Sequence, residues 1–357
     1  MKPIFLAALL LVGLTPATAS DLELVAGLGA ETPPGNIAIG PDGRIFLSVH
    51  GFYGQPIKVV ELLEDGSTRP YPNATWAFAP KDGGNGLYGV LGLNVDSKGI
   101  LWLLDTSGEN RAGRLIGWDT RAEKLHRIVY LAAPVIRPES FLNDLAIDAE
   151  NGFVYIADTA GADTAALVVV DLDTGQARRV LEGSRYTVAE DIDMVIDGRT
   201  MELGGAPARL GINPITLSPD NQWVYFGAMT GTSLYRVRGA DLRNSKLTSK
   251  QLAERVERYG DKPISDGITV DGGGNVYITA ITENAIGVVG SDGEYRQLFQ
   301  RQDLAWPDGF AYGPDHQIYV TVNELHRSPV LNGGENGSRG ELKVMRFDAL
   351  EQGKVGR

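Results

Sequence analysis

Cysteine is missing from all 357 residues. Disulfides, zinc–thiolate centres and thiol nucleophiles are therefore excluded. Basic side chains are scarce: 33 Lys and Arg stand against 45 Asp and Glu, a net charge of −12. A nucleic-acid binder needs a basic patch to replace phosphate counterions, and this balance argues against one. It argues equally against docking on anionic lipid. Only four histidines occur, His50, His126, His316 and His326, and no two share metal-ligand spacing. The zinc pattern HExxH and the nucleophile pattern GxSxG are also missing. The longest apolar run, residues 4–14, falls short of the roughly 20 residues that span a bilayer.

That run follows Lys2, is broken by Thr15 and Pro16, and precedes Ala17-Thr18-Ala19. This order predicts a secretory signal peptide over residues 1–19, cleaved after Ala19. Residues 20–357 are then expected to form one exported domain, periplasmic or secreted, with no membrane association. An exported chain without disulfides needs a large core or a closed architecture. The hydrophobic content of 43% supplies the core. Glycine is abundant, 45 of 357 residues or about 13%, against an ordinary ~7%. Such a surplus suits many short strands joined by tight turns.

One pattern recurs six times: a short apolar strand, a Gly/Asp/Asn turn, and a second apolar strand. The copies are GNIAIGPDGRIFLSVH (35–50), LGLNVDSKGILWLLDT (91–106), NDLAIDAENGFVYIADT (143–159), NPITLSPDNQWVYFGAMT (213–230), DGITVDGGGNVYITAIT (266–282) and DGFAYGPDHQIYVTVNE (308–324). Their starts lie 56, 52, 70, 53 and 42 residues apart. A third strand-like run follows each copy, and a fourth follows most, such as 124–131 and 176–181. Four antiparallel strands repeated six times predict an all-β, six-bladed β-propeller. The last unit supplies only three strands. The alternating segment 22–26 is expected to complete it, so that the N-terminal strand closes the ring. The 70-residue step holds an insertion, 185–210, with an acidic EDID segment. Residues 249–260 read as a helix, with Leu252 and Val256 spaced i, i+4. The aromatics Trp102, Tyr155, Tyr225, Tyr277 and Tyr319 share one position in the second strand, which marks them as core between blades. A closed ring leaves no sheet edge, so a monomer is expected.

In such a ring the first strands line a central channel and begin at its mouth, where function usually resides. Those starts are Gly35, Leu91, Asn143, Asn213, Asp266 and Asp308. Second-strand ends add His50, Asp158, Asn323 and His326, and an approach loop adds Glu190. His50 and His326 are the only candidate proton shuttles. Asn143, Asp158, Asn323 and Glu190 are candidate substrate contacts. Hard oxygen donors grouped in this way suit Ca²⁺ or another divalent cation. Polar channel residues also hold ordered water, and Asn or Asp at a strand start also caps turns.

The stretches PESFLNDLAID (138–148), AEDIDMVIDG (189–198), GINPITLSPDNQWVYFGAMTGTSLYRV (211–237), GDKPISDGITVD (260–271) and VNELHRSP (322–329) resemble the major royal jelly/Yellow protein family, in its bacterial branch. The resemblance implies a secreted six-bladed propeller. It further implies channel binding of small amines or a link to dopachrome conversion. A more distant likeness is to the gluconolactonase/senescence-marker propellers, which hydrolyse sugar lactones with a divalent metal. That likeness implies Asn213 and Asp266 as metal ligands, with Asp266 also the catalytic base, and Asn143-Asp144 as the substrate-side pair. The family's metal-binding Glu falls near Gly35 here, and its Arg before the Asn-Asp pair is Phe141. Asp308 or Glu190 stands as the replacement ligand.

Four readings remain open on the sequence. The first is a binding protein for a small cationic or aromatic molecule, drawn in by the acidic mouth. The second is a metal-dependent lactonase or esterase using Asp266, Asn213 and Asp308. The third is a dopachrome-type tautomerase in which His50 or His326 moves the proton. The fourth is a protein-interaction scaffold, for which only the fold speaks.

Overall fold

The computed structural model describes residues 21–357 apart from 82, 83, 107, 109, 110 and 162. The expected signal peptide, 1–19, lies outside the described residues. Among the described residues, six four-stranded antiparallel sheets follow one another. Their inner strands are Pro34–Ile39, Val90–Val95, Leu142–Asp148, Ile212–Leu217, Ser265–Val270 and Pro307–Tyr312. Each inner strand packs beside the next, and the sixth packs beside the first. This is the six-bladed propeller that the repeat predicts. The ring closes as expected: Glu23–Gly27 pairs with Lys343–Asp348 as the outer strand of blade six. Among the described residues, no helix is long and apolar enough to cross a membrane.

The repeated aromatic position is buried in all five blades that carry it. In three of them the polar tip is met by a carboxylate at the end of the inner strand. Trp102 donates to Asp96 at 2.9 Å, Tyr277 to Asp271 at 2.9 Å, and Tyr155 to Asp148 at 3.3 Å. The ring fills the space between blades while the tip satisfies a buried carboxylate.

Every inner strand carries a register shift near its start, against the second strand of its own blade. A bulge adds one residue, turns a side chain out of the sheet plane and frees a backbone N–H. Second-strand hydroxyls accept those freed groups. Ser48 accepts from Asn36 N–H, Thr279 from Gly267 N–H and Thr321 from Gly309 N–H. The same hydroxyls of Ser48 and Thr321 donate to the next blade, at Leu91 and Gly35 carbonyls. The bulges bring neighbouring inner strands so close that a β-carbon at Gly267 would collide with the Asp308 carbonyl. At Gly309 it would collide with Asn36. Glycine is therefore required beside the channel at these two positions.

Two elements differ from expectation. The helix covers only Ser249–Ala253, capped by Thr248 and Gln251. The chain then extends, and Glu257–Asp261 becomes the outer strand of blade four. Leu252 and Val256 both pack on the blade core, so their spacing is met by one helical turn followed by extended chain. The open edge of Ser233–Arg238 claims the following residues. The second difference is the insertion before blade four. It forms two small hairpins, Val195–Ile196 with Arg199–Thr200 and Glu202–Leu203 with Ala206–Pro207. Their turns, Asp197-Gly198 and Gly204-Gly205, have positive φ at both central residues, as two-residue hairpins require. Met194, Ile196, Met201 and Ala208 are buried against Trp306, Leu325 and Leu331 of blade six and Phe52 of blade one. The insertion is thus a lid over the channel mouth.

Candidate functional site

A cavity of about 240 Å³ lies beneath the lid. The bulged starts of the inner strands build its floor: Asn36, Asn143, Asp144, Asn213, Asp266 and Asp308. Its walls and roof are apolar, with Phe52, Phe141, Met194, Leu203, Trp306 and Leu331 among them. Among the described residues lining it there is no Lys or Arg.

Each floor carboxylate is held by an amide. Asn36 Nδ2 donates to Asp144 at 2.8 Å, and the Leu145 N–H donates to the same oxygen. Asn213 donates to Asp266, and Trp306 Nε1 donates to its other oxygen at 2.7 Å. Asn323 donates to Asp308. These neutral donors do not offset the loss of water. Burial pushes Asp144 up to about 8, and the charge of Asp266 adds to the shift. Asp144 keeps some accessible surface, but that surface lines the cavity. Burial raises Asp266 to about 6 against the opposing pull of its Trp306 and Asn213 bonds. Burial and then the charges of Asp266 and Asp144 hold Asp308 well above the ordinary carboxylate range. Three carboxylates in one cavity cannot all ionise cheaply without a cation.

His50 also lines the cavity and accepts the Phe52 N–H at Nδ1. Burial drives its pKa down to about 3. His326 lies behind the wall, its ring stacked parallel to Trp306 at 6.2 Å. Burial, then the Arg327 charge, lowers it to about 4.

Six expected site residues meet in this cavity: His50, Asn143, Asp144, Asn213, Asp266 and Asp308. Asn323 stands one layer behind, tying Asp308 to the Pro34 carbonyl. Asp158, Glu190 and His326 do not line it. Asp158 is paired with Arg179 and accepts from the Phe141 N–H. Glu190 accepts from the backbone and hydroxyl of Thr232. Asn36 and Trp306 went unread in the sequence. The bulge of blade one brings Asn36, one residue past Gly35, to the cavity floor. Trp306 precedes an inner strand with φ 57°, and nothing in the sequence marks that position.

Among the described residues, no three His, Cys, Asp or Glu side chains are grouped to hold a metal ion. Asp266 already spends both oxygens on N–H donors, which a metal would have to displace. Asn213 Oδ1 is a buried acceptor without a partner, but one spare oxygen does not make a coordination shell. The residues as placed do not form a ready divalent-metal site.

Comparison with known structures shows the same fold at low identity. A luciferin-regenerating enzyme superposes with a TM-score of 0.60 at 14% identity, covering 94% of this chain and 98% of that one. A protein described as a putative gluconolactonase gives 0.57 at 12%, covering 95% and 94%. Regucalcin from Agrobacterium tumefaciens, described as calcium-binding, gives 0.56 at 16%, covering 93% and 98%. In sequence, major royal jelly protein 1 of Apis mellifera is 24% identical over 265 residues, 68% of this chain. The chain spans about 59% of that relative's length. The family model described as major royal jelly protein matches residues 88–326, two-thirds of the sequence, and the chain belongs to the major royal jelly protein family.

Proposed function

We propose that this protein binds a small organic cation with an apolar body in its central cavity. One observation carries the reading: three buried carboxylates share a cavity whose described lining holds no Lys or Arg. An ammonium group would replace the proton that Asp144 holds at neutral pH, and its opposite charge would favour the ionised form of all three carboxylates. Trp306, Phe52 and Phe141 in the lining favour a cation that carries an aromatic or aliphatic body. The Met and Leu roof excludes water and strengthens the charge pairing. The acidic surplus of the whole chain adds steering toward cations. The sequence-level reading of export, with a small-molecule ligand and no nucleic-acid partner, is consistent with this role.

Calorimetric titration with 2-phenylethylamine and its uncharged analogue 2-phenylethanol tests the proposal. The amine is expected to bind and the alcohol to bind at least tenfold more weakly, a difference of about 1.4 kcal/mol. Asp266→Asn is expected to weaken the amine alone. Equal binding of both compounds, or of neither, overturns the reading.

A further inference from the structure

We propose that His50 is a fixed, neutral hydrogen-bond donor that selects ligands carrying an acceptor atom in addition to their charge. The inference rests on the cation-binding reading of the cavity. His50 follows the second strand of blade one, Ile45–Val49, and caps the turn Gly51–Tyr53. Its Nδ1 accepts the Phe52 N–H at 3.2 Å. A ring nitrogen that accepts cannot also carry a proton, so this bond holds the imidazole with its hydrogen on Nε2.

Three further observations fit a donor rather than a proton shuttle. Burial alone disfavours the imidazolium, and none of the floor carboxylates supports it. The ring therefore stays neutral. The Phe52 ring stands edge-on at 4.8 Å and fixes the imidazole plane. Nε2 has no hydrogen-bond partner among the described residues, and His50 lines the cavity. The other floor donors are engaged: Trp306 and Asn213 on Asp266, Asn36 on Asp144. Asn143 offers an amide, but an amide can turn to donate or accept. His50 can only donate. A site that presents a desolvated N–H rejects the analogue that cannot pair with it.

Two nearly isosteric probes read this out: 2-phenylethylamine and 4-(2-aminoethyl)pyridine. Both are cations at pH 8, and only the second has an acceptor at its far pole. The wild-type protein is expected to prefer the pyridyl amine by roughly tenfold. In His50→Leu the two affinities should converge to within about twofold. Should that variant fail to fold, His50→Asn retains an oxygen that caps Phe52 N–H, and the same convergence is expected. Nitrogen-15 NMR of histidine-labelled protein supplies a test without substitution: His50 should show an unprotonated Nδ1 and a protonated Nε2 throughout pH 5–8. Binding of both amines with a ratio unchanged by the variants overturns this proposal alone, as does an Nδ1–H tautomer. Binding of neither amine to the wild type overturns the cation reading as well.

Discussion

Replacing Asp144 by Asn is expected to stabilise the unliganded protein in alkali and to change it little in acid. An unfolded Asp releases its proton near 3.9. The folded protein holds the Asp144 proton up to about 8. Between those values the native state binds more protons than the unfolded one, so stability falls as pH rises through the window. Above about 8 the whole cost is present. Asparagine has no charge to desolvate, and its oxygen still accepts from Asn36 and the Leu145 N–H. It also removes a charge that raises Asp308. The shift of about four units corresponds to at most roughly 5–6 kcal/mol. Relaxation and water entry reduce such penalties, and about 2 kcal/mol is a working figure. Unfolding entropy near 2.1 cal/mol/K per residue converts this to roughly 3 °C for a chain of this size. Scanning calorimetry of both proteins at pH 4.5 and pH 9 is the assay. A gap of about 3 °C in favour of the variant should open at pH 9 and nearly close at pH 4.5. A gap independent of pH, or a variant less stable at pH 9, would refute the reasoning.

Trp306→Phe removes the N–H that holds Asp266 down. The pH midpoint for amine binding should rise, and a loss of about 1–3 kcal/mol in denaturant unfolding is expected. Thr321→Val leaves the Gly309 N–H without its acceptor and cuts the tie to the Gly35 carbonyl. A similar loss of about 1–3 kcal/mol should appear in urea titration, with strand content by circular dichroism unchanged. Asp197→Ala cuts the lid's contacts with Arg327, at 3.0 Å, and with His326, at 3.4 Å. The pair is half exposed and contributes less than about 1 kcal/mol to stability. Stopped-flow binding should nonetheless show both on- and off-rates rising, because the lid opens more often. Added Ca²⁺ or EDTA should leave the melting temperature unchanged; a rise with millimolar Ca²⁺ would contradict the site's description as unsuited to a divalent metal.

Most of the propeller was legible because its hairpins repeat at blade-length spacing. The strand 124–131 lies where the apolar run places it. The channel floor was partly legible, since a strand start in a propeller has one place to go. Asn143, Asn213, Asp266 and Asp308 follow from that rule, and the distant gluconolactonase likeness points to Asp144. Asn36 was not legible because a bulge adds a residue without altering the apolar alternation around it. The lid was not legible either. Its strands are two residues long, too short to show a period, and Met194, Ile196 and Met201 are buried where they meet blade six. Asp158 shows a different limit. A carboxylate at a strand end serves the channel or the frame according to its partner, and Arg179 lies on the fourth strand of its own blade. Glu190 and His326 were decided in the same way, by neighbours distant in sequence.

The central claim is that the cavity exchanges protons for an organic cation. Titration of 2-phenylethylamine at pH 7 in two buffers of different ionisation enthalpy counts the protons released. With Asp144 near 8 and Asp308 raised beside it, roughly one proton or more should be released per amine bound. Affinity should fall as pH drops, and Asp144→Asn should reduce the proton count. Tight binding with no proton release, at an affinity flat between pH 6 and pH 9, would contradict the account.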